Sequence, residues 1–213
     1  MGEPPVEADS DGVRPGVRRT GLLHFDAIVS ITAIFISAVS LFVAIEHGKT
    51  ERELVAANVW PFPRAILSNG YDDKGSIAIG VSNGGVGPAK IRSFELFYQN
   101  HPVRSGLDLL RQCCGLKQSA PDVRSELPKG IRYSVVDETV LRPGEDNAVF
   151  LLRRSTVAPD VPNRLSKALN KVSFKVCYCS VLDQCWSSDL RSTHTHRVGQ
   201  CSAPQYRYEP NGR

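Results

Sequence analysis

Ala27–Ile45, AIVSITAIFISAVSLFVAI, carries no charge, no Pro and no Gly, and the rest of the chain is organised by how it is read. A helix of that length spans a bilayer core of roughly 30 Å. Its backbone satisfies its own N–H and C=O groups, as hydrocarbon demands, so the chain before it and the chain after it are expected on opposite sides of a membrane. A buried core helix would show a polar face, and Ser30, Thr32, Ser37 and Ser40 are too mild to make one. A cleaved signal peptide would have a shorter apolar core ending at a small-x-small site. Here the run continues into EHGKTERELVAA, Glu46–Ala57, which reads as helix. The expectation is an uncleaved transmembrane helix over residues 22–46 and a helical stalk over 47–59 that Pro61 and Pro63 stop, because proline lacks the donor a helix interior needs.

The flanks give the orientation. Arg14, Arg18 and Arg19 precede the run closely, whereas Lys49 and Arg52 after it are mixed with Glu46, Glu51 and Glu53. The basic excess places the N-terminus in the cytoplasm and the C-terminal domain outside, anchored by one pass in the inner membrane. Residues 1–21, MGEPPVEADSDGVRPGVRRTG, hold too little apolar surface to offset ordering entropy and are expected to be a disordered cytoplasmic tail. Gly2 does not make a myristoylation site, since Val6 stands where that motif needs Ser or Thr. Ala33 and Ser37, then Ser40 and Ala44, have the small-xxx-small spacing that lets membrane helices approach, which raises a homo-oligomer through this helix as one partner.

Of the 213 residues, those after the stalk suffice for one domain with its own core. The net charge of +4 comes from 26 basic residues scattered among 22 acidic ones, with no basic block, which argues against nucleic acid. Six Cys and a single Met suit an exported domain, where disulfides persist.

From Trp60 the pattern alternates with the period of strands. Arg64–Ser68, Ser76–Ser82 and Lys90–Tyr98 read as strands, with Ile77, Ile79 and Val81 on one face and Ile91, Phe94, Leu96 and Tyr98 mostly together. Between the last two, NGGVGPA (Asn83–Ala89) reads as a tight connection whose glycines permit positive φ. It is not a phosphate loop, having no GxxxxGK[ST] lysine and opening onto a strand. Ser105 can cap and Gly115 can end a short helix, and a polar loop follows to about Gly130. Ile131–Val140 alternates, Pro143 and Gly144 turn, and Asn147–Leu152 is a strand. Asp160–Asn170 is a second short helix carrying Val161, Leu165 and Leu169. Val172–Ser180 pairs through an LDQ turn with Cys185–Ser187, and residues 191–213 read as a polar loop or tail.

The chemistry-bearing residues gather late in the chain. Cys177 and Cys179 lie two apart on a strand, so they share a face and cannot easily bond to each other. Six Cys allow fifteen full connectivities. The leading pairing is Cys179 with Cys185 across the hairpin and Cys177 or Cys114 with Cys201, while adjacent Cys113 and Cys114 could each reach a separate partner. A zinc site from Cys177, Cys179, Cys185, His194, His196 and Cys201 is the sharper alternative, but C-x-C-x5-C matches no usual ribbon or finger. Cysteine catalysis with His194 or His196 satisfies residue type alone. Asp72, Asp73, Glu145 and Asp146 sit in turns, where carboxylates cap backbone donors more often than they hydrolyse substrates. No residue is nominated as catalytic, and no cofactor is expected.

ANVWPFPRAIL after a membrane helix, VSNGGVGPAKIRSFELFY and FKVCYCSVLDQCW together resemble uncharacterised bacterial single-pass membrane proteins with a small exported β-sandwich. That resemblance covers most of the chain after Ala27 and implies a fold but no site residues. The expected architecture is mainly β: an immunoglobulin-like antiparallel β-sandwich of about seven strands over residues 60–190, with two short helices, behind one transmembrane helix. The expected function is a membrane-anchored interaction or accessory protein of the cell envelope with a protein partner there. The alternatives are an envelope hydrolase or thiol-dependent enzyme, or a metal sensor, built on the Cys/His-rich end.

Overall fold

The computed structural model describes residues 20–116 and 130–210, with side chains from residue 25 onward. The tail expected at residues 1–21 and the polar loop before Gly130 lie almost wholly outside the described residues. The chain divides into two compact units, residues 1–52 and 53–213.

In the first unit lies most of helix α1, Thr20–Asn58, of 39 residues. Its apolar run is fully exposed and is, among the described residues, the one helix long and apolar enough to cross a membrane. Its few polar side chains are satisfied within the helix. Ser30 Oγ donates to Asp26 O, Thr32 Oγ1 to Ile28 O and Ser37 Oγ to Ala33 O, each at 2.8 Å. Hydroxyls bonded back in this way cost little in an apolar surround.

The second unit is mixed helix and antiparallel sheet, with about 31% of the chain in strands, rather than the mainly β chain expected. Strands β1 (Pro63–Ser68), β2 (Ile77–Asn83), β5 (Ile131–Tyr133) and β7 (Asp146–Leu152) form one sheet in the order β1-β2-β7-β5. The other runs β10-β9-β8-β3-β4, from β3 (Ala89–Tyr98), β4 (His101–Val103), β8 (Val172–Cys179), β9 (Cys185–Ser188) and β10 (His196–Val198), and β6 (Val140–Leu141) also pairs with β3. Helices α2 (Gly106–Cys114) and α3 (Asp160–Ala168) complete the unit. One buried cluster draws Ile77, Ile79 and Phe150 from the first sheet, Phe94, Phe174 and Tyr178 from the second, and Leu109 and Leu165 from the helices.

Bulges account for the places where alternation alone misplaces side chains. In β3 the register against β8 shifts between Ile91 and Ser93, so Ile91 and Phe94, three apart, both face the core. In β2 the register against β7 shifts between Ile79 and Val81. Gly80 sits at that shift with Asn147 O and Ala148 Cα where a β-carbon would be, so only glycine lets the two backbones approach.

The Asn83–Ala89 connection corrects the reason given for its glycines. None of Gly84, Gly85 and Gly87 has positive φ. Instead a β-carbon on Gly87 would collide with Val59, and one on Gly85 with the Trp60–Phe62 backbone. Gly85 and Gly87 are there because the chain leaving α1 runs against them, whereas a β-carbon on Gly84 would meet only the Arg64 side chain. Gly84 N donates to Phe62 O at 3.0 Å, and Val86 N and Gly87 N both donate to Trp60 O at 3.1 Å. At the centre is Asn83, with no exposed surface. Its Oδ1 accepts from Phe62 N and Gly85 N, each at 3.1 Å, and its Nδ2 donates to Gly87 O (2.9 Å) and Leu141 O (3.0 Å).

Three further features change or add to the expectations. Ile131–Val140 is not one strand. Tyr133 pairs with Phe150 in the first sheet and Val140 with Lys90 in the second, and between them Glu138 turns left-handed at φ 58° while Thr139 Oγ1 donates to Val136 O. Secondly, β4 follows β3 directly, because Gln99 (φ 49°) and Asn100 (φ 65°) make a two-residue turn of the type whose twist suits a hairpin. Thirdly, residues 191–210 are no free tail: they contain β10 and bury Tyr208 to 4% exposure. The helix caps stand as read, with Ser105 Oγ accepting from Asp108 N and Gly115 left-handed at φ 65°.

Replacing Asn83 with Leu takes the partner from two part-buried amides and two buried carbonyls, and is expected to cost about 3 kcal/mol or more. Gly87→Ala is expected to cost over ~1 kcal/mol by collision, while Gly70→Ala, in open space, changes stability by ~0.5 kcal/mol or less. Urea unfolding followed by tryptophan fluorescence reads all three. An Asn83→Leu midpoint equal to wild type would remove Asn83 from its central place.

Candidate functional site

Strand alternation on β8 sends Val172, Phe174, Val176 and Tyr178 into the core and sets Ser173, Lys175, Cys177 and Cys179 on the opposite face. The register places Cys179 against Cys185 and Cys177 against Ser187 on β9. The turn joining the strands is held by Ser180, whose Oγ accepts from Leu182 N and Gln184 N at 3.2 and 3.3 Å, and by a left-handed Asp183 at φ 55°.

The six sulfurs stand in three pairs. Cys179–Cys185 is at 2.05 Å and Cys177–Cys201 at 2.00 Å, which are two of the pairings weighed from sequence. The third differs from expectation: Cys113 and Cys114 do not seek separate partners but bond to each other at 2.07 Å, in the last turn of α2. The two hairpin disulfides touch, with Cys179 Sγ 3.8 Å from Cys201 Sγ, and the sulfurs of Cys179, Cys185 and Cys201 lie within 4.8 Å of one another. His194 and His196 are exposed and join no such group among the described residues. They line a shallow depression of about 210 Å³ with Phe174, Lys175 and Asp189 instead. Sulfurs held as disulfides offer no thiolate to a metal, so the zinc constellation is not assembled in this state.

Sequence reading missed what covers the sulfurs. Residues 199–209 run back over the outer face of the second sheet as a strap. Glu95, only 3% exposed although it points away from the core, accepts Tyr206 N at 2.6 Å and stands 3.6 Å from Lys175 Nζ. Phe97 packs edge-on against Tyr206, and Arg104 lies over the same ring at 5.9 Å. Arg207 reaches Asp137 Oδ2 at 3.1 Å and Glu138 Oε1 at 3.2 Å. Burial pushes the Asp137 carboxyl above its ordinary range, and the Arg207 guanidinium opposes that. Tyr208 turns inward against Phe94. The one signal for the strap in the sequence was Cys201, a cysteine isolated in a polar stretch.

Between strap and sheet lies an open cleft of about 590 Å³, lined by Arg92, Glu138, Asp183, Arg207, Cys179, Cys185 and Cys201. Its carboxylates are engaged: Asp183 pairs with Lys90 at 2.9 Å, which holds its pKa below the ordinary value, and Glu138 pairs with Arg207. The acid pairs read from turns are elsewhere, and three of the four carboxylates are engaged. Asp72 accepts Ser76 N and Ser76 Oγ at 2.8 Å and Lys74 N at 3.1 Å, and these bonds hold its carboxyl low. Glu145 accepts Arg142 N and Nε and is lowered likewise. Asp146 faces the Tyr71 hydroxyl at 3.5 Å, and Asp73 is exposed. Comparison with protein-family models, with curated proteins and with solved structures finds no match to this chain.

With all six cysteines paired, alkylation of the unfolded, unreduced protein is expected to modify none of them, and a chelator is expected to leave stability unchanged. Replacing His194 and His196 with Ala is expected to shift stability by ~0.5 kcal/mol or less. Freely alkylated thiols together with stoichiometric zinc would establish the metal site instead.

Proposed function

We propose that the chain is a membrane-anchored interaction or accessory protein of the bacterial cell envelope, with its C-terminal domain outside the cytoplasm and its two antiparallel sheets arranged as an immunoglobulin-like sandwich. The sandwich reading is supported by the shared core of the two sheets, and the exported position by cysteines standing in pairs. The observation that carries the functional reading is a set of exposed apolar side chains at one end of the domain, where β3 begins. Val86 is 65% exposed, Val140 56%, Leu182 47%, Trp60 46% and Val181 41%.

Their convergence follows from pairing. Val86 N bonds Trp60 O, Val140 pairs with Lys90, and Lys90 Nζ holds Asp183 at the tip that carries Val181 and Leu182. Scattered single apolar residues are ordinary, but several on neighbouring loops around a salt bridge resemble the apolar centre of a protein interface. The partner is a protein that presents an apolar surface within reach of the tether. The domain supplies rigidity, because the Cys179–Cys185 bridge closes the hairpin directly below the Val181–Leu182 tip.

A reporter active only outside the cytoplasm, fused after Glu53, is expected to give signal, and a photo-crosslinking residue at Val140 is expected to capture a discrete protein in native membranes. Val181→Glu with Leu182→Glu should abolish that adduct while stability changes by about 0.5 kcal/mol or less per site. A reporter silent outside the cytoplasm would overturn the topology. An adduct indifferent to the double substitution would overturn the proposed surface.

A further inference from the structure

The cleft brings two disulfides closer together than bracing a hairpin and a strap requires, and we propose that it is a thiol–disulfide exchange site. In it an incoming small thiol converts the Cys179–Cys185 and Cys177–Cys201 pairs into a Cys179–Cys201 bridge. The observation behind this is the 3.8 Å separation of Cys179 Sγ and Cys201 Sγ, sulfurs of different bridges whose residues line the cleft, Cys201 half-buried and Cys179 and Cys185 3% and 7% exposed at its floor. Cys185 lines the same cleft. Its volume of about 590 Å³ falls within the ~300–1,000 Å³ of small-molecule sites, room for a thiol of tripeptide size.

The exchange balances without an added oxidant. The incoming thiolate attacks Cys185 Sγ, forming a mixed disulfide there, and the Cys179–Cys185 bond breaks to leave Cys179 as thiolate. Cys179 then attacks Cys201 Sγ. The Cys179–Cys201 bond forms, the Cys177–Cys201 bond breaks, and Cys177 carries the electron pair away as thiolate. Two disulfides and one thiolate enter, and two disulfides and one thiolate leave. The reactant is a low-molecular-mass thiol. Arg92 and Arg207 line the cleft, and its carboxylates are already paired, Asp183 with Lys90 and Glu138 with Arg207. Arg92, in the same lining, brings a guanidinium to the cleft, and a nearby cation favours thiolate over thiol.

Mechanically, the exchange would shift the strap's anchor on β8 by two residues, from Cys177 to Cys179, while leaving the strap covalently held. Cys177 and Cys179 share a face, so the shift needs no strand to turn over. It also frees the turn carrying Val181 and Leu182 from its bridge, although the exchange stands on the sulfur geometry whether or not that tip binds a partner.

The test uses the full chain, oxidised, in detergent, incubated with less than one equivalent of glutathione, quenched with acid, alkylated and mapped by mass spectrometry. The expected result is a Cys179–Cys201 peptide with glutathione on Cys185 and the alkyl label on Cys177. In Cys185→Ser, where Cys179 is liberated without reductant, the label is expected to divide between Cys177 and Cys179. Only the two original pairs in wild type, with all the label on Cys179 in Cys185→Ser, would overturn the proposal. Pairs drawing in Cys113 or Cys114 at comparable yield would also overturn it, as the mark of random reshuffling in an unfolded chain. The wild-type measurement stands even if the variant does not fold.

Discussion

The side chain of Asn83 is the constraint on which the domain's architecture turns. An amide group has two donors and a carbonyl with two acceptor positions, and here all four are used, joining Phe62, Gly85, Gly87 and Leu141 in a place with no solvent. Its backbone is used as well: Asn83 N donates to Glu145 O, and Gly144 N donates to Asn83 O at 2.8 Å. One residue therefore ties the segment after α1, the glycine connection, the strand that crosses to the second sheet and the turn before β7. Without that node, each of these segments would have to satisfy its backbone separately, and the groups now bonded to a side chain with no exposed surface would lose their partner. The glycines follow from it. Gly85 and Gly87 lie so close to the Val59–Phe62 backbone that a β-carbon on either would collide with it.

The disulfides distribute stabilisation unevenly. In the loop-closure account a bridge stabilises in proportion to the chain freedom it removes. Cys177–Cys201, with a sequence separation of 24, is worth about 3–4 kcal/mol on that basis, and Cys179–Cys185, with a separation of 6, about 2 kcal/mol. Cys113–Cys114 restricts a single peptide unit and removes almost nothing from the unfolded ensemble. The strap is thus the segment that gains most from its bridge, and the contacts of Glu95, Phe97, Arg104, Asp137 and Phe94 to residues 206–208 show the same segment held again from the side.

What the sequence could show was local. The apolar run, the alternation of β2, β3 and β8, the Ser105 cap and the Gly115 terminus each depend on residues within a turn or a strand of one another, and each was legible. What was misread or missed lies where a residue's reason is elsewhere in the chain. Gly85 and Gly87 look like turn glycines until Val59–Phe62 is placed beside them. Gln99–Asn100 lacks the Asn-Gly signature of its turn, and only the pairing of Tyr98 with His101 shows it. Glu95 occupies an outward position and would be read as solvated, because nothing local says that Tyr206, 111 positions later, returns to cover it, apart from the stray Cys201. Ile131–Val140 alternates convincingly, yet its halves serve different sheets, a division made by partners distant in sequence.

The compartment decides what the sulfur cluster is. Three sulfurs within 4.8 Å would, as thiolates, be three of the four ligands a structural zinc requires, so in a reducing compartment the same positions favour metal. In an oxidising one they favour bridges, and four cysteines crowded together favour exchange between bridges. The proposed orientation rests on the arginines before α1, which are chemically independent of the cysteines after it. Pairing is what that orientation requires: a domain delivered outside with three adjacent sulfurs on one face would be oxidised there, and β8 holds Cys177 and Cys179 on a common face where each bonds across to a different partner. The geometry that prevents those two from bonding to each other is therefore also what sets two bridges side by side, so that the capacity to exchange follows from strand alternation itself.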